Sequence, residues 1–268
     1  MEPIERLSRD IKKALLDIGV DEARYLVDSY YQIQDYRKAA ANQGRALEKA
    51  EEPHGIIGWL DAQMRDMENQ LKGALGEWAA KQPAGEWAQS IVGIGPVLSA
   101  GLLAHIDIKK APTVGHIWRF AGIDPTVRWE KGQKRPWNAS LKVICWKIGE
   151  SFVKVSGNDR DIYGKVYLAR KEREIEMNAA LAFSGQAEHK LATTRIGKTT
   201  EAYKAYSNGQ LPPAHIHARA KRYAAKLFLA HLHHVMFEIE YGAPPPKPYI
   251  IERGGHAHFI APPNWPMK

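Results

Sequence analysis

The sequence predicts a mainly α-helical protein. Apolar residues recur every three to four positions along most of the chain, which is the spacing of one face of a helix. Strand-like character is confined to the short stretch Tyr249-Ile250-Ile251. Hydrophobic residues make up 44% of the chain and charged residues 25%, as in ordinary globular proteins. The predicted order is a helical arm, a helical domain built around a helix-hairpin-helix, and a Pro-rich strap.

Residues 1–83 are predicted to form the helical arm. Helices are expected over 3–18, 21–49 and 56–80, interrupted by Gly19 and by the break at 51–55. Apolar residues of the third helix approach heptad spacing: Ile57, Leu60, Met64, Met67, Leu71, Leu75 and Trp78. This spacing indicates an antiparallel helical pair, a coiled-coil arm through which the chain forms a homo-oligomer, or one face of a simple helical bundle.

A double-glycine turn is the centre of the predicted domain over 84–241. Short helices are expected over 84–91 and 96–105, joined through Val92-Gly93-Ile94-Gly95-Pro96. Glycine can adopt positive φ and lets the backbone approach a ligand, and a helix N-terminus attracts anions. We therefore expect Gly93, Ile94 and Gly95 to bind a backbone phosphate. The alternative is a turn in which glycine is needed only for packing.

The charge distribution favours a polyanionic partner. Residues 1–85 hold 12 lysines and arginines against 15 acidic residues, a net charge of −3. The remaining residues hold 26 against 15, a net charge of +11. A strongly basic half favours nucleic acid, and we expect duplex DNA, with RNA as an alternative. No basic amphipathic helix stands apart with an apolar face, so a membrane partner is not expected.

A basic loop over residues 127–137 is the second predicted contact surface. It carries Arg128, Lys131, Lys134 and Arg135, interleaved with Trp129 and Trp137. Cations together with exposed indole rings suit contact with phosphates and unstacked bases, although the rings could instead fold back on the core. Asn138 is a predicted N-cap of a helix over 139–155 that adds Lys142.

The rest of the chain gives weaker signals. Helices are expected over 162–182 and 214–241. Residues 183–213 are polar and weakly periodic, which suggests a lid, an arm or a poorly ordered insertion. Residues 242–268 are rich in proline and are predicted to form an extended tail.

The sequence contains no clear cofactor or metal site. Histidines cluster late in the chain, but the His-x-His pairs at 215–217 and 231–233 do not have the i, i+4 spacing that a metal needs on a helix. Binding of a divalent metal elsewhere in the protein is neither predicted nor excluded by the sequence. A single cysteine and the absence of an apolar leader lead us to expect a cytoplasmic protein.

Several blocks of the sequence resemble one family. They are Ile91 to Ala104, Phe120-Ala-Gly-Ile-Asp-Pro125, Gly132-Gln-Lys134, Asn138-x-x-Leu141-Lys142, Tyr163-Gly-Lys-Val-Tyr167 and His217 to Arg222. In this order they resemble the C-terminal domain of the insertion sequence 110 transposases, which are grouped with insertion sequences 116 and 902. The resemblance covers about residues 84–240, and it implies a protein that handles DNA in transposition or recombination.

The resemblance also raises the question of catalysis. The family's RuvC-like N-terminal domain, with its metal-binding carboxylates, is expected to be absent, because residues 1–83 look like the family's coiled-coil segment. The family's nucleophilic serine precedes the position of Asn138, where this loop holds none; Ser140 is the nearest candidate. Asp124 offers another possibility, that of a helix-hairpin-helix DNA glycosylase. A DNA- or RNA-binding structural protein without catalysis is the third possibility.

Overall fold

The structure is a computed structural model that describes residues 18–246 and 259–267. These residues form ten α-helices and no strand, so the mainly α-helical prediction is confirmed. The helices are α1 (Val20–Lys49), α2 (Gly55–Ala80), α3 (Pro83–Ser90), α4 (Pro96–His105), α5 (Val114–Phe120), α6 (Ala139–Val155), α7 (Tyr163–Ala179), α8 (Ser184–Thr193), α9 (Glu201–Ser207) and α10 (Pro213–Tyr241). The helix predicted over 3–18 and the strand predicted over 249–251 lie, except for Ile18, outside the described residues.

Helices α1 and α2 form an antiparallel pair. Near the middle of the pair, the buried carboxylate of Glu68 accepts hydrogen bonds from Tyr30 (3.1 Å), Gln34 (2.8 Å) and Arg37 (2.5 Å) of α1. At its base, the Trp78 indole N–H donates to the carbonyl of Ile18 at 3.1 Å. A buried carboxylate is tolerated only when it is paired and hydrogen-bonded, so Glu68 fixes the register of the two helices.

Helix α4 is the most deeply buried helix, with eight of its ten residues buried. Helices α1, α2, α3 and α6 pack around it. The guanidinium of Arg24 on α1 donates to the carbonyl of Ala104 at 3.0 and 2.7 Å. This contact satisfies a carbonyl at the end of α4 that has no partner within the helix. The pair α1–α2 is therefore attached directly to the helix that follows the double-glycine turn.

The long helix α10 organises the other half of the molecule. It packs against α3, α5, α6 and α7, and a cluster of aromatic rings lies where these helices meet. Trp87 stacks on Phe228 with ring centroids 5.8 Å apart, and Phe152 stacks on Tyr163 at 4.9 Å. Phe228 also meets both rings of the second pair edge-on, at 5.6 and 5.4 Å. The four rings are fully buried and join α3, α6, α7 and α10 into one core.

The region over 183–213, which the sequence predicts to be a lid, an arm or a poorly ordered insertion, forms two short helices. Helices α8 and α9 pack against each other over a small core of Phe183, Ala187, Tyr206, Leu211 and Ile216. The Asn178 side chain binds the backbone of Leu211 through its carbonyl oxygen (2.8 Å) and its amide nitrogen (2.9 Å). The polar composition of residues 183–213 did not predict this arrangement, because only a few apolar residues form the small core.

The described part of the Pro-rich tail, residues 259–267, lies over α3 and α10 without regular secondary structure. The Trp87 indole N–H donates to the carbonyl of Pro263 at 2.7 Å. The carbonyl of Ile260 lies 3.0 Å from Nε2 of His231. None of the helices in the described ranges is long and apolar enough to pass through a lipid bilayer.

Two helical glycines are expected to respond oppositely to alanine. A Cβ at Gly85 would lie 2.0 Å from the carbonyl oxygen of Ala79 and 2.7 Å from the Leu103 side chain. Gly85→Ala should therefore lower the free energy of unfolding by about 2–3 kcal/mol. Gly73, inside α2, has open space at the same position, and Gly73→Ala should raise the free energy by about 0.5–1 kcal/mol. Urea unfolding of both variants measures the difference, and equal effects would contradict the close approach of α2, α3 and α4.

Candidate nucleic-acid interface

The turn over residues 91–95, called the glycine turn below, connects α3 to α4 and is held from two sides. Gly93 has a φ of +97°, a backbone conformation that favours glycine. Its carbonyl accepts a hydrogen bond of 2.5 Å from the Ser151 hydroxyl on α6. On the other side, Pro96 packs against Gly76 of α2, where a Cβ would come within 2.9 Å of the proline ring. The turn is therefore fixed before any ligand arrives.

Five backbone N–H groups of the turn region have no protein acceptor in the described part of the chain. They belong to Val92, Gly93, Gly95, Val97 and Leu98. The last two are free because they lie in the first turn of α4, where no earlier carbonyl can reach them. Such free donors at a helix N-terminus attract an anion.

The glycine turn opens into a cleft of about 570 Å³, the turn cleft. Both glycines are half-buried and lie at its wall. Lys72 of α2 and Lys147 of α6 also line the cleft, and neither has an ion-pair partner among the described residues. The Lys147 ammonium lies 3.9 Å from the centre of the Tyr31 ring. Burial, and to a smaller extent Lys38, lowers the pKa of Lys147, while the nearby Asp35 partly opposes this effect.

The three predicted residues of the turn have different roles in the fold. A Cβ at Gly93 would lie 3.1 Å from Val155 and 3.2 Å from Phe152, so this glycine packs against α6. Gly95 has an ordinary extended conformation and open space where a side chain would start. Ile94 is buried, and its N–H donates to the carbonyl of Ile91 at 2.9 Å. Gly95 is thus the accessible position, whereas Ile94 offers neither its side chain nor its amide to a ligand.

The basic loop closes back onto α5 and α6. The Asn138 N–H donates to the carbonyl of Phe120 at 2.8 Å, and the Asn138 side chain accepts the N–H of Leu141 at 2.8 Å as the predicted N-cap of α6. Arg128, Lys131, Lys134 and Arg135 are exposed. The end of the loop is therefore fixed by hydrogen bonds, and its cations are exposed to solvent.

The two tryptophans of the loop are engaged with local partners. The ring of Trp137 covers Gly122, where a Cβ would lie 2.7 Å from the indole, and carries the Lys142 ammonium 3.9 Å from its centre. Trp129 packs edge-on against Trp137 at 6.3 Å and is 39% exposed. Trp137 therefore folds back onto the protein and holds a lysine, whereas Trp129 stays exposed with the Arg135 guanidinium 5.7 Å from its ring centre.

The glycine turn and the basic loop lie on different faces of α6. Ser151 contacts the turn, whereas Lys142 contacts the loop. The two residues are nine apart in the helix, which places them about 14 Å apart along its axis and about 180° apart around it. The turn and the basic loop, which the sequence predicts as two contact surfaces, thus lie on different faces of this helix. Lys72 and Lys147, which sequence reasoning did not single out, are the cations beside the turn.

The two candidate catalytic residues have ordinary structural positions. Ser140 is half-buried in the first turn of α6. Asp124 accepts hydrogen bonds from the Thr126 N–H (2.9 Å) and hydroxyl (2.8 Å), which is the pattern of an Asx turn. These bonds, together with Lys226 and Arg119, lower the pKa of Asp124. A role for either residue in chemistry stays a prediction.

The histidines of α10 are bonded to protein partners, whereas His256 and His258 lie outside the described residues. Tyr163, Tyr167 and Tyr206 lie 2.6, 2.8 and 3.2 Å from ring nitrogens of His231, His217 and His215. Burial lowers the pKa of His231 to about 4, so this ring is neutral at pH 7. Within the described ranges, no three His, Cys, Asp or Glu side chains come together as metal ligands.

The decisive comparison concerns the segment that contains the glycine turn. Residues 86–135 match the model of the Transposase IS116/IS110/IS902 family. The resemblance to these transposases is confirmed for this segment. The match spans most of α3, the glycine turn, α4, α5 and the larger part of the basic loop. No curated protein and no solved structure matches the chain significantly. The transposase match supports a transposase-like role.

Substitutions of the two glycines in the glycine turn are expected to have different effects on stability. Gly93→Ala should lower the free energy of unfolding by about 1–3 kcal/mol, because it combines positive φ with contacts of 3.1 and 3.2 Å. Gly95→Asn should change it by less than about 1 kcal/mol, because Asn is a favoured N-cap in an extended conformation. Thermal unfolding of the two variants checks this, and a Gly95→Asn variant as unstable as Gly93→Ala would exclude an open site at Gly95.

Proposed function

We propose that this chain is a transposase-like DNA-binding protein that holds the backbone of duplex DNA at the glycine turn. Helices α3 and α4 act in this proposal as a helix-hairpin-helix. The observation that carries the proposal is the combination of free N–H groups at Gly93 and Gly95 with the unpaired Lys72 and Lys147 at one cleft. Free amides and lysines together suit a phosphate group. The family match over the same segment supports DNA as the source of that phosphate.

Binding at the glycine turn is expected to be independent of DNA sequence. The groups at the cleft are backbone amides and ammonium ions, which contact phosphate and carry no pattern that distinguishes base pairs. The exposed cations of the basic loop, Arg128, Lys131, Lys134 and Arg135, add electrostatic attraction from the other face of α6. Affinity should therefore depend strongly on salt concentration.

A charge-only substitution at Gly95 tests the proposal. Gly95→Asp and Gly95→Asn place side chains of nearly equal size in the same open space, and both can cap α4. Only Asp adds a negative charge beside the proposed phosphate. We expect Gly95→Asp to weaken duplex binding about tenfold or more relative to Gly95→Asn, as measured by fluorescence anisotropy at about 0.1 M salt. Equal affinities of the two variants would refute phosphate binding at the turn.

The salt dependence of binding provides a separate prediction for Lys72. Lys72→Gln should reduce the slope of log K against log salt by about one, because one phosphate contact is lost. Lys198→Gln, in the exposed loop before α9, is the matched control and should leave the slope unchanged. A change of the same size in both variants would show that Lys72 acts only through net charge.

A further inference from the structure

Helix α10 carries four cations close together in sequence, and they fall into two classes. Arg219 is bonded to the buried Glu174, and Lys221 is bonded to Glu150. Arg222 and Lys226 have no ion-pair partner in the described part of the chain. The paired cations stabilise the contacts of α10 with α7 and α6. The unpaired ones lie one helical turn apart and therefore on one face.

Two lysines of this region, Lys226 of α10 and Lys142 of α6, each lie on an indole ring. The Lys226 ammonium lies 4.1 Å from the centre of the Trp118 ring, and the Trp118 indole N–H donates to the carbonyl of Lys226 at 3.2 Å. Lys142 lies on the ring of Trp137, as described above. Each ammonium is therefore held in a defined position by an aromatic ring, which attracts a cation without neutralising its charge.

The cations influence one another electrically. Burial lowers the pKa of Lys142 most, and the charges of Arg135 and Arg222 lower it further. Burial also lowers the pKa of Lys226; Asp124 opposes this effect and Arg222 adds to it. Among the described carboxylates, Asp124 acts on Lys226 and Glu174 acts on Arg222. Both are already engaged, Asp124 with Thr126 and Glu174 with Arg170 and Arg219. Lys142 and Lys226 are half-buried, whereas Arg135 and Arg222 are exposed. Half-buried like charges without an ion-pair partner are unfavourable for folding, and a bound anion would remove that penalty.

We propose that Arg135, Lys142, Arg222 and Lys226 form a second phosphate site, called the cation cluster, which binds the backbone of a nucleic acid. The identity of the ligand rests on the proposed function, whereas the anion site itself rests on the unpaired cations. The cluster lies on the face of α6 opposite to the glycine turn. Its indole rings already hold lysines, so the cluster contacts phosphate and does not stack bases.

The first test measures anion binding without nucleic acid. Two proteins are compared. The first is the Gly95→Asp variant, in which a negative charge blocks the turn, and the second carries Arg222→Gln and Lys226→Gln in addition. Pyrophosphate is added to each. Pyrophosphate should raise the Tm of the first protein and leave that of the second unchanged. A third protein is the control. It combines Gly95→Asp with Arg173→Gln, which removes an exposed arginine of α7, and its Tm should rise as much as that of the first protein. No increase in the first protein, or an equal increase in all three, would overturn the cation cluster.

The second test uses duplex DNA and the otherwise unmodified chain. Arg222→Gln with Lys226→Gln should weaken binding at least tenfold and reduce the salt slope by about two. The Tm of this double variant without ligand should be unchanged or higher, because the repulsion between the cations is relieved. If Arg222 and Lys226 instead stabilised the fold, the Tm would fall. Unchanged affinity would refute the cluster even if Gly95→Asp weakens binding. The opposite result, in which only the cluster variant weakens binding, would support the cluster and refute phosphate binding at the turn.

Discussion

The packing of four buried aromatic rings is the interaction on which the rest of the structure depends. Trp87 and Phe228 join α3 to α10, while Phe152 and Tyr163 join α6 to α7, and the two pairs meet in one cluster. This cluster fixes the position of α3 relative to α6. Since α3 runs directly into the glycine turn and Gly93 rests on Phe152, the shape of the turn follows from the core. The turn is thus a rigid feature of the surface, as a preorganised binding site requires.

The two glycines of the turn are subject to different structural constraints. Gly93 is needed because a side chain there would meet α6 and because its φ is positive. Gly95 has neither constraint, so its lack of a side chain has no explanation in the packing of the described residues. It leaves the first turn of α4 open to solvent beside two lysines. The sequence offers packing and phosphate binding as alternatives; the structure gives the Gly93 Cα position a packing role, and phosphate binding by the amides of the turn stays a prediction.

The features that sequence predicted well are those with local signals. Pro96 begins α4, Asn138 caps α6 and Gly242 ends α10 with a φ of +69°, so the bounds of these helices agree with expectation to within one residue. Features that depend on distant segments were not predictable. Lys72 and Lys147 are unremarkable in their own helices and become neighbours of the turn only through tertiary packing. The small core beneath α8 and α9 likewise joins segments that separately show almost no apolar periodicity.

Net charge by segment was a poor guide to the local electric field. The acidic arm supplies Lys72 to the turn cleft, whereas two of the cations on the basic helix α10 are neutralised by buried or half-buried carboxylates. What distinguishes a binding cation from a structural one is whether the fold provides its counterion. By that criterion the described residues include a group of cations without ion-pair partners on each of two faces of α6, Lys72 and Lys147 on one and the cation cluster on the other. Because α6 separates them and also contacts the aromatic cluster, the same helix that completes the core sets the spacing between the two proposed phosphate contacts.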